Sequence, residues 1–415
     1  MRISTLLISF ILLASYNVDA QNPIRINEPM QSFYIGISKV SNDTFKLKYL
    51  SSNQTFQSIS GSETYKEISI NKSQQLLSLN PILIKQRFPT FFGNTFVWNN
   101  VNYEYGCEFN ANLADSSTIW IKKETHPHDS MYKLPLYDSS FSRVFVKSHL
   151  ILSNHLYLFG DVRYSGQSFS YPTAFKIDLH TKSFQLRKYN ATGVFRFLGD
   201  AIYDAANQNF IVTSSTQIEN PNRPFGAGIC KLDTNLNLIT GSNQTLQSTY
   251  STHLITTPNP YEFVAGIEPV DQTSFLCVGP AINPLLLWSQ TTNPNRNYLE
   301  DLVAGQRFNS TLQEVNVSYA HGKIDTAESA TLNYMPFKRI DSNMFYVGMT
   351  SRFYNPQPEP WDTELALFGL NEQGQKHWEY YHPLNDYCSI NDIIPDQNGG
   401  LWFVAQCSEN LNLST

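Results

Sequence analysis

Along most of the chain, apolar and polar residues alternate in short runs separated by tight polar turns, the period-two pattern of half-buried β-strands. Two stretches align without a gap: Asp200-Ala-Ile-Tyr-Asp204-Ala-Ala-Asn-Gln-Asn-Phe210-Ile-Val212 and Asp392-Ile-Ile-Pro-Asp396-Gln-Asn-Gly-Gly-Leu-Trp402-Phe-Val404. Each reads as strand, turn, strand, so one supersecondary unit is used more than once. Weaker copies run from Phe88 to Trp98, Val144 to Gly160, Phe263 to Gly279 and Pro336 to Gly348. Their turns are expected at Gly93-Asn94, Ser153-Asn154, Asn207-Gln208, Asp271-Gln272, Asp341-Ser342 and Asn398-Gly399, residue types that accept turn geometry.

Between these inner hairpins lie outer ones, at Thr173 to Tyr189, Gly226 to Thr240 and Glu364 to Tyr381. Four strands per repeat predict an all-β chain, and repeated four-stranded sheets are the blades of a β-propeller. The hairpin from Tyr34 to Tyr49, turning at Asn42-Asp43, has no inner hairpin before it, and the last inner hairpin has no outer one after it. Joining the two predicts six blades closed by a velcro pairing of the chain ends, with seven blades as the alternative count.

Arg2 precedes an apolar run from Leu6 to Ala14, and Val18 and Ala20 suit a signal-peptidase site. Residues 1–20 are expected to be a leader and 21–415 a single domain. No later apolar run is long enough to predict a transmembrane helix, so the product is expected to be secreted or luminal. Eight Asn-X-Ser/Thr sequons, at Asn42, Asn53, Asn71, Asn190, Asn243, Asn309, Asn316 and Asn412, are candidate glycosylation sites in that compartment. The same compartment permits a disulfide, and Cys388 and Cys407 fall opposite each other across the last hairpin. Cys230 with Cys277 is a second possible pair, which leaves Cys107.

Charged residues make up 15% of the chain, the net charge is −6, and Lys and Arg are scattered. That distribution argues against a nucleic-acid partner. No nucleophile elbow, P-loop or dinucleotide fingerprint occurs.

Leu370-Asn-Glu-Gln-Gly374-Gln-Lys-His-Trp378 resembles the outer-hairpin signature of quinoprotein-like propeller repeats, in which Trp follows Gly by four residues. The resemblance covers one repeat. It implies the propeller superfamily and no specific family or quinone cofactor.

Two sets of residues carry candidate function. Asp200 and Asp392 hold the same place in two repeats, with Glu268 and Asn391 as further oxygen donors. If they face a channel they form the metal site of a calcium-dependent lactonase- or esterase-type hydrolase; otherwise they satisfy backbone amides and no cofactor is needed. The second set lies on long connections at Asp161 to Pro172, Ser214 to Phe225, Thr350 to Asp362, Lys122 to Ser142 and Asp301 to Leu332. There Arg163, Tyr164, Arg223, Phe225, Phe353, Tyr354 and Trp361 are the residue types that anchor protein or glycan partners. A non-catalytic binding module is the leading expectation. Asp233-Thr-Asn235-Leu-Asn237 imitates half of a calcium loop but is expected to be a turn, and His126-Pro-His128-Asp129 reads as a Pro-constrained loop.

Overall fold

The computed structural model describes residues 4–14, 17–20, 24–28, 31–39, 41, 44–52, 64–71, 76–82, 90–109, 117–123, 132–135, 141–164, 170–189, 197–216, 226–239, 266–282, 301–321, 328–330, 336–340, 344–353, 362–384, 387–395 and 400–408. Among them every regular element is a strand, and the pairings within each sheet are antiparallel. No helix among the described residues is long and apolar enough to cross a membrane. Contacts divide the chain into two units, Met1–Lys188 with Asp396–Glu409, and Tyr189–Pro395 with Asn410–Thr415.

In the first unit, β1 (Ser4–Ala14) pairs with β2 (Asn17–Ala20) and β3 (Ile24–Glu28). Next, β4 (Gln31–Lys39), β5 (Thr44–Ser52), β6 (Thr64–Asn71) and β7 (Leu76–Ile82) form one sheet in chain order. A second follows from β8 (Thr90–Trp98), β9 (Val101–Phe109), β10 (Ser117–Lys123) and β11 (Tyr132–Pro135). The third comprises β12 (Phe141–Leu152), β13 (His155–Tyr164), β14 (Ser170–Asp178) and β15 (Phe184–Lys188).

The second unit holds a sheet of β16 (Phe197–Asp204), β17 (Asn209–Thr216) and β18 (Gly226–Asp233). Beside it stands the sheet of β19 (Gly266–Pro269), β20 (Ser274–Ile282), β21 (Asp301–Asn309) and β22 (Glu314–His321). A further sheet has β23 (Glu328–Ala330) and β24 (Phe337–Arg339) both against β25 (Met344–Phe353), followed by β26 (Asp362–Asn371) and β27 (Lys376–Leu384). β28 (Tyr387–Pro395) completes this unit. β29 (Gly400–Ser408), in the first unit, pairs with β1 from Ser4↔Ser408 to Leu12↔Gly400.

Two expectations change here. The hairpin from Tyr34 to Tyr49 is not the outer half of the last sheet: it is β4 and β5, and β6 and β7 complete a sheet of its own. Sequence reading missed β6 and β7, so among the described residues there is one more sheet than the six expected. The strand that shares a sheet with β29 is β1, built from residues read as a leader.

Packing follows the alternation that defines the strands. Phe45, Leu47 and Tyr49 of β5 and Ile68 and Ile70 of β6 are all buried. In the first unit a core joins Tyr105, Ile119, Ile121, Val144, Leu156, Leu158 and Phe175, and the second unit holds two such clusters around Phe275 and around Phe345 and Phe368. Each fully buried side chain of this size contributes roughly 1.5–3 kcal/mol. In the first unit the first strands are serial neighbours, β4 beside β8 and β8 beside β12. In the second unit the series is β16, β19, β24, β28.

The turns divide by length. Connections from first to second strand are short, as at 99–100, 153–154, 205–208 and 270–273, whereas those from second to third are longer, as at 53–63, 110–116, 217–225, 283–300 and 354–361. In an antiparallel sheet these two sets emerge at opposite ends. The expected turn at Gly93-Asn94 falls inside β8, at a register shift between Thr90 and Gly93. Asn99 and Asn100 make the turn instead, with φ of 50° and 59°, a backbone that Asn tolerates and that matches strand twist. Several long connections also contract: β13 and β14 leave only 165–169 open, β11 lies inside Lys122 to Ser142, and Asp301 to Leu332 is largely β21, β22 and β23. The turns at Asn42-Asp43, Asp341-Ser342 and Asn398-Gly399 lie outside the described residues.

Candidate functional site

β16 reaches the start of its sheet with a bulge, a register shift between Leu198 and Ala201 that contains Gly199 and Asp200. A Cβ on Gly199 would lie 2.3 Å from Thr213 Oγ1, so only glycine lets the chain bend here. The Asp200 backbone N–H donates to that same hydroxyl at 2.8 Å. A bulge re-aims the side chain it carries. Asp200 Oδ1 accepts the Ala201 N–H at 2.9 Å, and its Oδ2 accepts the Ile267 N–H of β19 at 3.3 Å.

Asp392 on β28 repeats the local bond, its Oδ1 accepting the Ile393 N–H at 2.8 Å. The aligned aspartates of the two repeats thus use one carboxylate oxygen identically. Their other charges are set by what the intervening first strands carry, Glu268 on β19 and Lys338 on β24.

Burial pushes the Asp200 carboxyl up, opposed by Lys338 and the two amides. Burial also drives Glu268 up to about 7, opposed by Lys338 and reinforced by the negative charge of Asp200. Lys338 feels the opposite balance: burial lowers it, but Asp392 first, then Asp200 and Glu268, outweigh that and hold it above its ordinary value. Yet solvent reaches all four groups. Asp200, Glu268 and Asp392 are half-buried and Lys338 is exposed.

Among the described residues no group of three or more His, Cys, Asp or Glu side chains is placed to hold a metal ion. The cation that the carboxylates surround electrostatically is the Lys338 ammonium, which sequence reading had not singled out. Asp233 is a turn residue: its Oδ1 accepts the N–H groups of Asn235 and Asn237, and its Oδ2 accepts from the Asn237 side chain. His126, His128 and Asp129 lie outside the described residues.

A cleft of about 400 Å³ opens at the short-turn end of the same unit, lined by Tyr203, Asp204, Asp271 and Thr273. Its carboxylates are committed. Asp204 caps the Ala206 and Asn207 amides, while Asp271 accepts from Ser274, Thr273 and Arg307.

Of the expected interface residues, Arg163 and Tyr164 close β13 and Phe353 closes β25, each at the long-connection end of its sheet. Arg223, Phe225, Tyr354 and Trp361 lie outside the described residues. Cys230 and Cys277 are both buried free thiols, and burial raises the first to about 12. Cys388 and Cys407 stand on β28 and β29, but their side chains lie outside the described ones.

No known protein family matches the chain, and no curated protein does. Solved structures align with it at low identity and low TM-score. Saccharomyces cerevisiae core factor aligns at 8% identity and a TM-score of 0.39, over 93% of this chain and 58% of that one. A prolyl endopeptidase aligns at 9% and 0.45, over 97% of this chain and 53% of that one. The Bombyx mori β-fructofuranosidase BmSUC1 aligns at 8% and 0.37, over 91% of each chain. The chain thus spans little more than half the length of the first two.

Proposed function

We propose that this chain is a secreted, glycosylated β-propeller with seven blades, one for each sheet, acting as a binding module for a protein or carbohydrate partner. The observation that carries the reading is the series of first strands β16, β19, β24 and β28, which presents Asp200, Glu268, Lys338 and Asp392 to solvent within one unit. Neighbouring first strands are what a propeller axis requires. The start of β16, where Asp200 sits, lies at the same end of its sheet as the 217–225 connection. A leader ending at Ala20 belongs to this proposal.

A second reading has its own observation. A carboxyl held near 7 beside another carboxylate is equipment for general acid–base catalysis. In that reading Glu268 is the acid or base of a lactonase- or esterase-type hydrolase, with calcium at Asp200 and Asp392 as the cofactor first expected.

Partner capture on the immobilised mature chain tests the proposal, using protein and glycan panels. Replacing Phe353, Tyr354 and Trp361 together with Ala is expected to remove binding and leave the fold intact. Hydrolysis of an ester or lactone panel, lost in Glu268→Gln, would favour the second reading instead.

A further inference from the structure

Two of the eight sequons sit seven residues apart around one hairpin, and the fold uses their side chains in opposite ways. Asn309 ends β21. Its Oδ1 accepts the Thr311 N–H at 3.0 Å, the Thr311 hydroxyl at 2.7 Å and the Gln313 N–H at 2.9 Å. The oxygen does the structural work in this turn; the amide nitrogen makes only a long contact of 3.3 Å to the exposed Gln313 side chain. Asp233 and Asn371 hold the same turn by the same oxygen bonds, which shows that the turn does not depend on the nitrogen of Asn309.

Asn316, on β22, is the reverse. Its Nδ2 donates to the Gln373 carbonyl at 2.8 Å, tying this sheet to the β26–β27 turn of the next. Gly305 and Gly374 meet beside it at a separation that admits no Cβ. A branched oligosaccharide on that nitrogen has no room while the two sheets are joined.

We propose that Asn309 is an N-glycan acceptor and that Asn316 is a lock between two sheets that excludes a glycan. The inference rests on the secretory reading given above. In the transfer, Nδ2 of Asn309 forms a bond to C1 of an oligosaccharide carried on a lipid pyrophosphate. The C1–O bond to the carrier breaks, and the lipid pyrophosphate leaves as Nδ2 gives up one proton. The side-chain oxygen, and with it the turn, is untouched.

The test is site-resolved peptide mass spectrometry of the full chain secreted from glycosylating cells. Asn309 is expected to carry glycan and Asn316 to be bare in the folded product. Asn316→Gln should leave glycan mass unchanged and lower Tm by roughly 2 °C or more, whereas Thr311→Ala should remove the mass of one glycan. Glycan on Asn316 in folded protein, or a bare Asn309 beside occupied sequons elsewhere, overturns the partition. A chain bare at all eight positions overturns the secretory reading itself.

Discussion

Gly305 and Gly374 approach so closely that a Cβ built on Gly305 would lie 2.8 Å from the Cα of Gly374, and one on Gly374 would lie 2.9 Å from the Cα of Gly305. Gly374 also has φ of +72°, a backbone that L side chains rarely adopt. Contact and conformation both require glycine there. Gly374→Ala is expected to destabilise the protein by about 2 kcal/mol, more than Gly305→Ala, which meets only the contact. Urea denaturation of the two variants checks the order.

Folded-state protonation of Glu268 has a sign that can be followed. Its carboxyl is raised to about 7, so between the ordinary value near 4.5 and 7 the folded state binds more protons than the unfolded chain. Its contribution to stability is fully present below 4.5 and is lost as pH rises through 7. Asp200, also raised, acts in the same direction. Glu268→Gln should flatten the fall in stability over this window, measured as Tm against pH. A fall as steep as in the wild type would show that Glu268 is not its source.

Removal of a leader would have a structural consequence, because β29 pairs along its length with β1. The proposal expects a secreted chain beginning at Gln21, without β1. Intact mass and N-terminal sequencing decide it; a secreted product that retains Met1 would make β1 a permanent strand and contradict the leader.

Much of this architecture was legible because the turns repeat a local chemistry. Asn207-Gln208, Ser153-Asn154 and Asp271-Gln272 lie where polar turn residues placed them, and the hairpins around them follow. The sheet of β4 to β7 was missed because its third and fourth strands resemble none of the aligned copies, so only half of it was recognised. β21 and β22 were read as loop for a related reason. The signal there was Asn309-Ser-Thr-Leu312-Gln313, which has the same turn as Asn371-Glu-Gln-Gly374-Gln375, with φ of 65° at Leu312 where the other has glycine.

The candidate site was legible in part. Asp200 and Asp392 stood out by alignment, but Lys338 did not, since a lysine is not expected in a series of carboxylates. Its position was nevertheless encoded. Glu268 precedes Asp271 by three residues and Lys338 precedes Asp341 by three, so both occupy one place in their repeats. The burial that moves their proton affinities depends on neighbouring sheets and has no local signature.

In the second unit the reading stands or falls on whether Glu268 and Lys338 share one electrostatic environment. Carboxyl-carbon NMR of Glu268, titrated in the wild type and in Lys338→Met, measures this directly. The account predicts a midpoint near 7 in the wild type and a higher one in the variant, because the ammonium that favours the ionised form is gone. A midpoint near 4.5 that does not move would contradict it.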